Sequence, residues 1–294
     1  MMEIGTAALD SRAAGGDQLV DDEDGEPLWS YAQGALMPGG LRAWERIGVG
    51  ARCETWLVWS PRLWSPAVVK LPRPHQVGHP RAARTLAREV AALRNNLHPV
   101  LPRLYADGVA ERVPYVALEH VDGPTLADEL DLSGPLGPAD VAMLGIQLLT
   151  GLRAVHQRGI AHVDVKPDNV LLRDGRPVLI DFGSARRIGA HQPAGHPVGT
   201  LGYAPPEMEA CEPISARMDV FALGVTLREA LTGPSETASS DTASSDTAAV
   251  IDRFCEPDPA RRPSVDAALT LLGATLPDDV RPWPEWARRS SWIR

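Results

Sequence analysis

The stretch HVDVKPDN, residues 162–169, sets a carboxylate (Asp164), an ammonium (Lys166) and an amide (Asn169) at D-x-K-x-x-N spacing. That pattern suits a loop that moves a phosphoryl group. Asp164 takes the proton of an acceptor hydroxyl or holds that hydroxyl in line, Lys166 neutralises charge on the group in flight, and Asn169 offers a hard oxygen to a metal ion. The lysine is informative in itself: of 29 Lys+Arg residues, only Lys70 and Lys166 are lysine. A chain that writes arginine almost everywhere has kept a compact ammonium at two positions, where a planar guanidinium fork is not equivalent.

Just downstream, the short runs "VLL" and "VLI" lead into Asp181-Phe182-Gly183, and Asp181 joins Asn169 as an oxygen donor suited to Mg²⁺. Just upstream, Val141, Leu144, Leu148, Leu152 and Val155 step by three and four, which predicts a long amphipathic helix from Pro138 to near Gly159. "DVFALGVTLREALTG" from Asp219 is apolar on most faces and predicts a buried helix, and "DPARRPSVDAALTLLG" predicts a final amphipathic one. The first part of the chain reads differently. "WERIGVGARCETWLVW" predicts two β-runs around a glycine-containing turn, and "SPAVVK" a third strand ending at Lys70. Leu86, Val90 and Leu93 predict a helix with Glu89 beside its apolar stripe, and "PYVALEHVDG" a buried strand. The expected class is α+β: a β-rich lobe with one helix, then a larger, mostly helical lobe.

A phosphoryl donor such as ATP needs its phosphates covered and its charge neutralised. Gly48, Val49 and Gly50 leave room for backbone N–H groups to approach phosphate oxygens, although a G-x-G turn alone is more often an ordinary hairpin. Lys70 supplies a point charge for the non-transferred phosphates and Glu89 an acid to orient it. The plain alternatives are an edge-strand surface lysine and a solvated helical acid.

Together, G-x-G, "AVVK", Glu89, D-x-K-x-x-N, "DFG", "GTLGYAPPE", "DVFALG" and "DPARRPS" run in order over residues 41–275. The set resembles the eukaryotic-type (Hanks-type) serine/threonine protein kinases of the kind also found in bacteria. The resemblance implies a bilobal kinase fold, use of ATP and Mg²⁺, and protein substrates with Ser/Thr acceptors. It places Lys70 and Lys166 at the two catalytic lysine positions. Leu118 falls at the gatekeeper, with Glu119 and Val121 offering backbone groups to adenine. Thr200 matches the residue that bonds the catalytic aspartate and lysine, Asp219 the buried aspartate that braces the loop, and Glu207 with Arg262 a structural ion pair. A nucleotide-binding pseudokinase that signals by contact is the rival reading. A small-molecule phosphotransferase is disfavoured by Lys166 and "DFG".

Three departures from the family pattern stand out. Cys53 replaces the third glycine of the phosphate loop, and Thr55 the valine two residues on. Val163 replaces the arginine that, in many relatives of this kind, pairs with a phosphate on the activation segment. Between Ser184 and Tyr203 the only hydroxyls are Ser184, Thr200 and Tyr203, at the ends, so receptor and phosphoacceptor are missing together. This predicts activity without activation-segment phosphorylation. Finally, residues 234–249 hold a Ser/Thr/Ala/Asp repeat where the family places another helix. The repeat is either a spacer or an autophosphorylation tract.

Composition sets the outer bounds. The 294 residues are 44% hydrophobic with a net charge of −9, and eight acidic residues precede Trp29 against Arg12 alone. Residues 1–40 are therefore expected to be a disordered acidic tail, followed by a lobe at 41–121, a lobe at 122–276 and a Trp/Pro tail at 277–294. Clustered positive charge for a nucleic-acid backbone is lacking. Three dispersed cysteines, a start without a signal peptide and no apolar run of membrane-spanning length lead to the expectation of a cytoplasmic protein.

Overall fold

Alternation along residues 53–60 decides the first unit. Glu54, Trp56, Val58 and Ser60 are buried while Cys53, Thr55, Leu57 and Trp59 are half-buried, the period of two that a sheet with two unequal faces requires. The structure, a computed structural model, describes residues 19–174, 176–192, 198–233 and 245–276. The chain divides into two units, residues 1–87 with 104–120, and residues 88–103 with 121–294.

In the first unit, β3 (Leu36–Met37), β4 (Leu41–Val49), β5 (Cys53–Ser60), β6 (Ser65–Pro72), β7 (Leu104–Asp107) and β8 (Val116–Glu119) form one antiparallel sheet in the order β3-β4-β5-β6-β8-β7. Thr55 pairs with Lys70, and Lys70 with Val116, so the lysine sits on an interior strand rather than at an edge. Trp56, Val58, Ala67, Val69 and Leu71 build the core on one face together with Met37, Leu41 and Tyr115.

The expected tail to residue 40 is corrected here. Residues 19–40 are built into this unit as the hairpin of β1 (Leu19–Asp21) and β2 (Pro27–Trp29), then β3. Their acids do not merely repel. Asp22 pairs with Arg73 at 2.5 Å and accepts the backbone N–H of Glu26 and Asp24. The Glu26 bond chiefly, with Arg73 assisting, holds the Asp22 carboxyl below the usual range against the opposing effect of burial. Residues 1–18 lie outside the described residues.

The second unit is helical: α2 (Leu126–Ser133), α3 (Pro138–His156), α4 (Pro206–Glu209), α5 (Ala216–Thr232), α6 (Asp246–Phe254) and α7 (Val265–Gly273), with β9 (Ile160–Ala161) paired to β12 (Arg186–Arg187) and β10 (Val170–Arg173) paired to β11 (Arg176–Leu179). All five stripe residues of α3 are buried. α2 begins with a reciprocal cap, Thr125 and Asp128 each accepting the other's backbone N–H at 3.0 Å. The expected ion pair closes this unit. Arg262 donates to both oxygens of Glu207, at 2.5 and 3.1 Å, and both residues are buried.

Two boundaries differ from expectation. α1 (Pro80–Leu93) does not belong wholly to the first unit. Its last turn is tied to the second by Arg158, which donates to the Ala92 and Ala91 carbonyls at 2.7 and 3.1 Å, and Val100 accepts the Leu179 N–H at 2.8 Å. A guanidinium on open C-terminal carbonyls also meets the negative end of the helix dipole. Secondly, the low-complexity segment ends earlier than residue 249. Ser245 caps α6 through the Ala248 N–H, and Thr247, Ile251 and Phe254 form its buried stripe. Residues 234–244 and the tryptophan tail at 277–294 lie outside the described residues. Among the described residues, no helix is long and apolar enough to cross a membrane.

Candidate active site

Asp219 organises the loop. It lies in the first turn of α5, 0% exposed, and its two oxygens accept the N–H groups of His162 (2.8 Å) and Val163 (2.7 Å) and contact His156 Nε2 at 2.6 Å. Burial pushes its pKa upward, but the bond and charge of His156, the His162 ring and the Val163 N–H outweigh it and hold the carboxyl below the usual range. A carboxylate gripping two successive amides fixes the backbone that precedes Asp164.

The loop turns sharply at Val163, whose φ is 59°. A β-branched residue in the left-handed region is strained, and the surroundings must hold it there. They do so by packing: Val163, 2% exposed, belongs to a buried cluster with Ala161, Met208, Ile214 and Met218, joined by Val198 and Ala204. Gly199, at φ +93°, passes so close that a Cβ would stand 2.8 Å from the Val163 carbonyl oxygen.

The polar groups then converge. Thr200 donates its hydroxyl to Asp164 Oδ1 at 2.7 Å and accepts from Lys166 Nζ at 3.2 Å. Asn169, 6% exposed, donates through Nδ2 to the Asp164 carbonyl at 2.8 Å and to Asp164 Oδ2 at 3.3 Å. With the amide nitrogen facing both acceptors, Oδ1 is turned the other way. The Ile180 N–H bonds the Asn169 carbonyl at 2.9 Å, so the strand leading into Asp181 runs beside Asn169. Asp181 is left-handed at φ 63° and its Oδ1 accepts the Gly183 N–H at 3.2 Å. This donor set, an amide oxygen and a carboxylate, is of the hard-oxygen type that fits a cation such as Mg²⁺, which ordinarily completes its shell with phosphate and water.

His162 lies beneath. Its Nε2 contacts the Ile180 carbonyl at 3.0 Å, its Nδ1 accepts the Asp164 N–H at 3.3 Å, and its ring meets Phe182 edge-on at 4.6 Å. Burial lowers its pKa despite the Asp219, Asp181 and Asp164 charges, and the neutral Nε2–H tautomer satisfies both contacts.

The structure thus gathers Asp164, Lys166, Asn169 and Thr200 within hydrogen-bonding reach in the second unit, with Asp181, Val121 and Glu89 in the same unit. Gly48, Val49, Gly50, Lys70 and Glu119 belong to the first. There, Gly50 N–H closes the turn on the Cys53 carbonyl at 2.9 Å. Neither Gly48 nor Gly50 has a positive φ, and a Cβ at either would meet neighbours at 3.7 and 3.4 Å. The hairpin itself does not demand glycine at those two positions.

Reading from sequence missed His156 as a partner of Asp219, and Met208, Ile214 and Met218 as partners of Val163. Helical apolar spacing marks such residues as buried but not what they cover.

Against known families, residues 42–271 match the protein kinase domain. The chain is 33% identical over 198 residues to serine/threonine-protein kinase PknB of Mycolicibacterium smegmatis, covering 64% of this chain and 32% of that one. It is 33% identical over 195 residues to PknB of Mycobacterium leprae, covering 64% and 31%. A third relative, named as a serine/threonine-protein kinase PkwA in Thermomonospora curvata, is 34% identical over 214 residues, 71% of this chain and 28% of that one. The chain belongs to the protein kinase family. Within the family it groups with the Hanks-type serine/threonine kinases of bacteria, and its matches span about a third of the length of these relatives.

Proposed function

We propose that the chain is an ATP- and Mg²⁺-dependent serine/threonine protein kinase, a cytoplasmic signalling enzyme acting on Ser/Thr hydroxyls of protein substrates. The observation that carries this reading is the Asp164–Thr200–Lys166–Asn169 constellation. Asp164 receives the proton of the acceptor hydroxyl as that oxygen bonds the γ-phosphorus and the bridging bond to the β-phosphate breaks, leaving a phosphorylated side chain and ADP. Lys166 faces the charge on the transferred group, and Thr200 holds Asp164 and Lys166 in register. Asn169 Oδ1 and the Asp181 carboxylate would hold Mg²⁺, which supplies charge neutralisation when bound. Lys70 and the glycine turn are assigned to the phosphates, Glu89 to orienting Lys70, and Glu119 and Val121 to adenine. Support for these is the family match, which contains all of them. Glycine at two positions where the hairpin does not require it adds support for the turn.

Activity is further proposed to need no activation-segment phosphate. An arginine in place of Val163 would need an anion; Val163 needs only apolar neighbours, and Met208, Ile214 and Met218 provide them. Autophosphorylation of the repeat remains part of the proposal. The test offers phosphatase-treated protein serine, threonine and tyrosine peptides with ATP. Transfer to serine and threonine at the untreated rate is expected. A folded protein silenced by the phosphatase would refute phosphate independence, and preferential transfer to tyrosine would refute the acceptor class.

A further inference from the structure

Residues 19–41 precede the matched kinase region, yet they supply a direct partner of the most buried acid among the described residues of the first unit. Glu54 is 0% exposed. Its Oε1 accepts the Trp29 N–H at 2.9 Å, and its Oε2 accepts Arg46 Nε at 2.9 Å and Trp56 Nε1 at 3.1 Å. The Arg46 guanidinium also donates to the Trp29 carbonyl and lies over the Trp56 ring. The Trp29 indole N–H donates to the Pro72 carbonyl at 2.7 Å. One residue of β2 is therefore tied to β4 through Arg46, to β5 through Glu54 and to β6 through Pro72.

These ties surround the root of the glycine turn. Arg46 lies two residues before Gly48, Glu54 pairs with Val49, and Pro72 pairs with Cys53. Alternation puts the ties on a definite side. Thr55 pairs with both Gly48 and Lys70 on one face, whereas Glu54 pairs with Leu71 on the other. The clasp thus holds the turn from the face opposite Lys70. A buried carboxylate is tolerated only when its donors are in place, so this cluster has essentially one arrangement and imposes it on the strands it joins.

We propose that Trp29, in a segment outside the kinase match, and its partner Glu54, within it, are positioning residues for the phosphate end of the nucleotide, acting through the glycine turn. The proposal rests on the kinase reading of that turn. Glycine restricts its own backbone least of all residues, so a clasp at the root of a glycine turn limits the conformations from which backbone N–H groups must be gathered around phosphates.

The test titrates ATP and adenosine calorimetrically into the full chain, Trp29→Phe and Glu54→Gln, with thermal unfolding in parallel. Trp29→Phe removes a single hydrogen bond and keeps an aromatic ring, so it decides the matter should Glu54→Gln fail to fold. Expected is an ATP dissociation constant raised about tenfold, the scale of one lost hydrogen bond, with adenosine unchanged within about twofold. Parallel weakening of both ligands, or a lowered melting temperature with ATP affinity unchanged, would overturn the clasp while leaving the kinase reading intact. A full chain that binds neither ligand overturns the kinase reading and the clasp with it.

Discussion

Replacing Val163 by alanine sets three effects against one another, and their sizes decide the outcome. Val163 is 2% exposed, so losing two methyl groups forfeits about 1.6 kcal/mol of transfer free energy at ~0.8 per buried carbon. The void left among Met208, Ile214 and Met218 raises this toward about 2–2.5 kcal/mol, since a cluster tied to loops and to two helices, α4 and α5, relaxes only in part. Against this, alanine tolerates φ 59° better than a β-branched side chain does, returning on the order of 1 kcal/mol. Packing wins by about 1 kcal/mol, and the melting temperature should fall by about 2–4 °C. A global loss of that size leaves nearly every molecule folded at 25 °C, so by itself it does not change turnover. If the cluster seats Thr200 against Asp164 and Lys166, however, the same loss acts locally, and kcat should fall about three- to tenfold with little change in KM. Differential scanning fluorimetry and steady-state transfer to a serine peptide, both on dephosphorylated protein, make the comparison. A lowered melting temperature with kcat unchanged would refute the seating role. A raised melting temperature would show that strain, not packing, dominates at this turn.

Thr200→Val keeps the shape and removes the hydroxyl that donates to Asp164 at 2.7 Å and accepts from Lys166 at 3.2 Å. A bond to a charged group is worth about 1.5–3 kcal/mol, so kcat should drop about 10- to 150-fold with nucleotide affinity retained, read by stopped-time transfer assays and ATP titration. Stability should fall on mild acidification. The His162 pKa is lowered in the folded state, so the unfolded chain binds the extra proton first, and stability is lost as pH falls below the unfolded value near 6.5. The slope is at most about 1.4 kcal/mol per pH unit from this group, and His162→Gln should reduce it in melting curves between pH 7 and 5. The depressed Asp219 carboxyl adds a loss only at lower pH, as the solution passes below about 3.8. Burial raises the Cys255 thiol to about 11, so iodoacetamide at pH 7.5 should leave Cys255 unmodified in mass-spectrometric mapping of the native protein.

What was legible in the sequence was local or periodic. The loop residues Asp164, Lys166 and Asn169 act within a few positions of one another, so their spacing carries their geometry. The α3 stripe announces itself by repetition, and Lys70 by the scarcity of its residue type. The clasp was invisible for the opposite reason. β1 and β2 have three residues each, too few for a period to register, and acidic neighbours pointed toward disorder. Their anchors lie far along the chain, Trp29 to Glu54 and Asp22 to Arg73, and no local pattern encodes a pairing across 25 or 51 residues. α6 was hidden by repetition itself. Ser245 followed by Asp246 is an ordinary helix start, with Thr247, Ile251 and Phe254 at helical spacing, but the preceding repeats of the same letters masked it. Arg158 reaches the end of α1 from about 66 residues along the chain, a contact that no local pattern encodes. Val163 shows the limit most clearly. The sequence marks an arginine missing, and only the fold shows Met208, Ile214 and Met218 packed around the valine in its place.

Asp164 and Lys70 are the residues assigned above to phosphoryl transfer onto serine and threonine. The most direct measurement follows ³²P from γ-labelled ATP into a serine peptide, using phosphatase-treated full chain, Lys70→Met and Asp164→Asn at matched melting temperatures. Robust transfer by the full chain and a loss of at least about a hundredfold in each variant is expected. Equal label from all three proteins, or none from a folded full chain that binds ATP, would contradict these roles for Asp164 and Lys70.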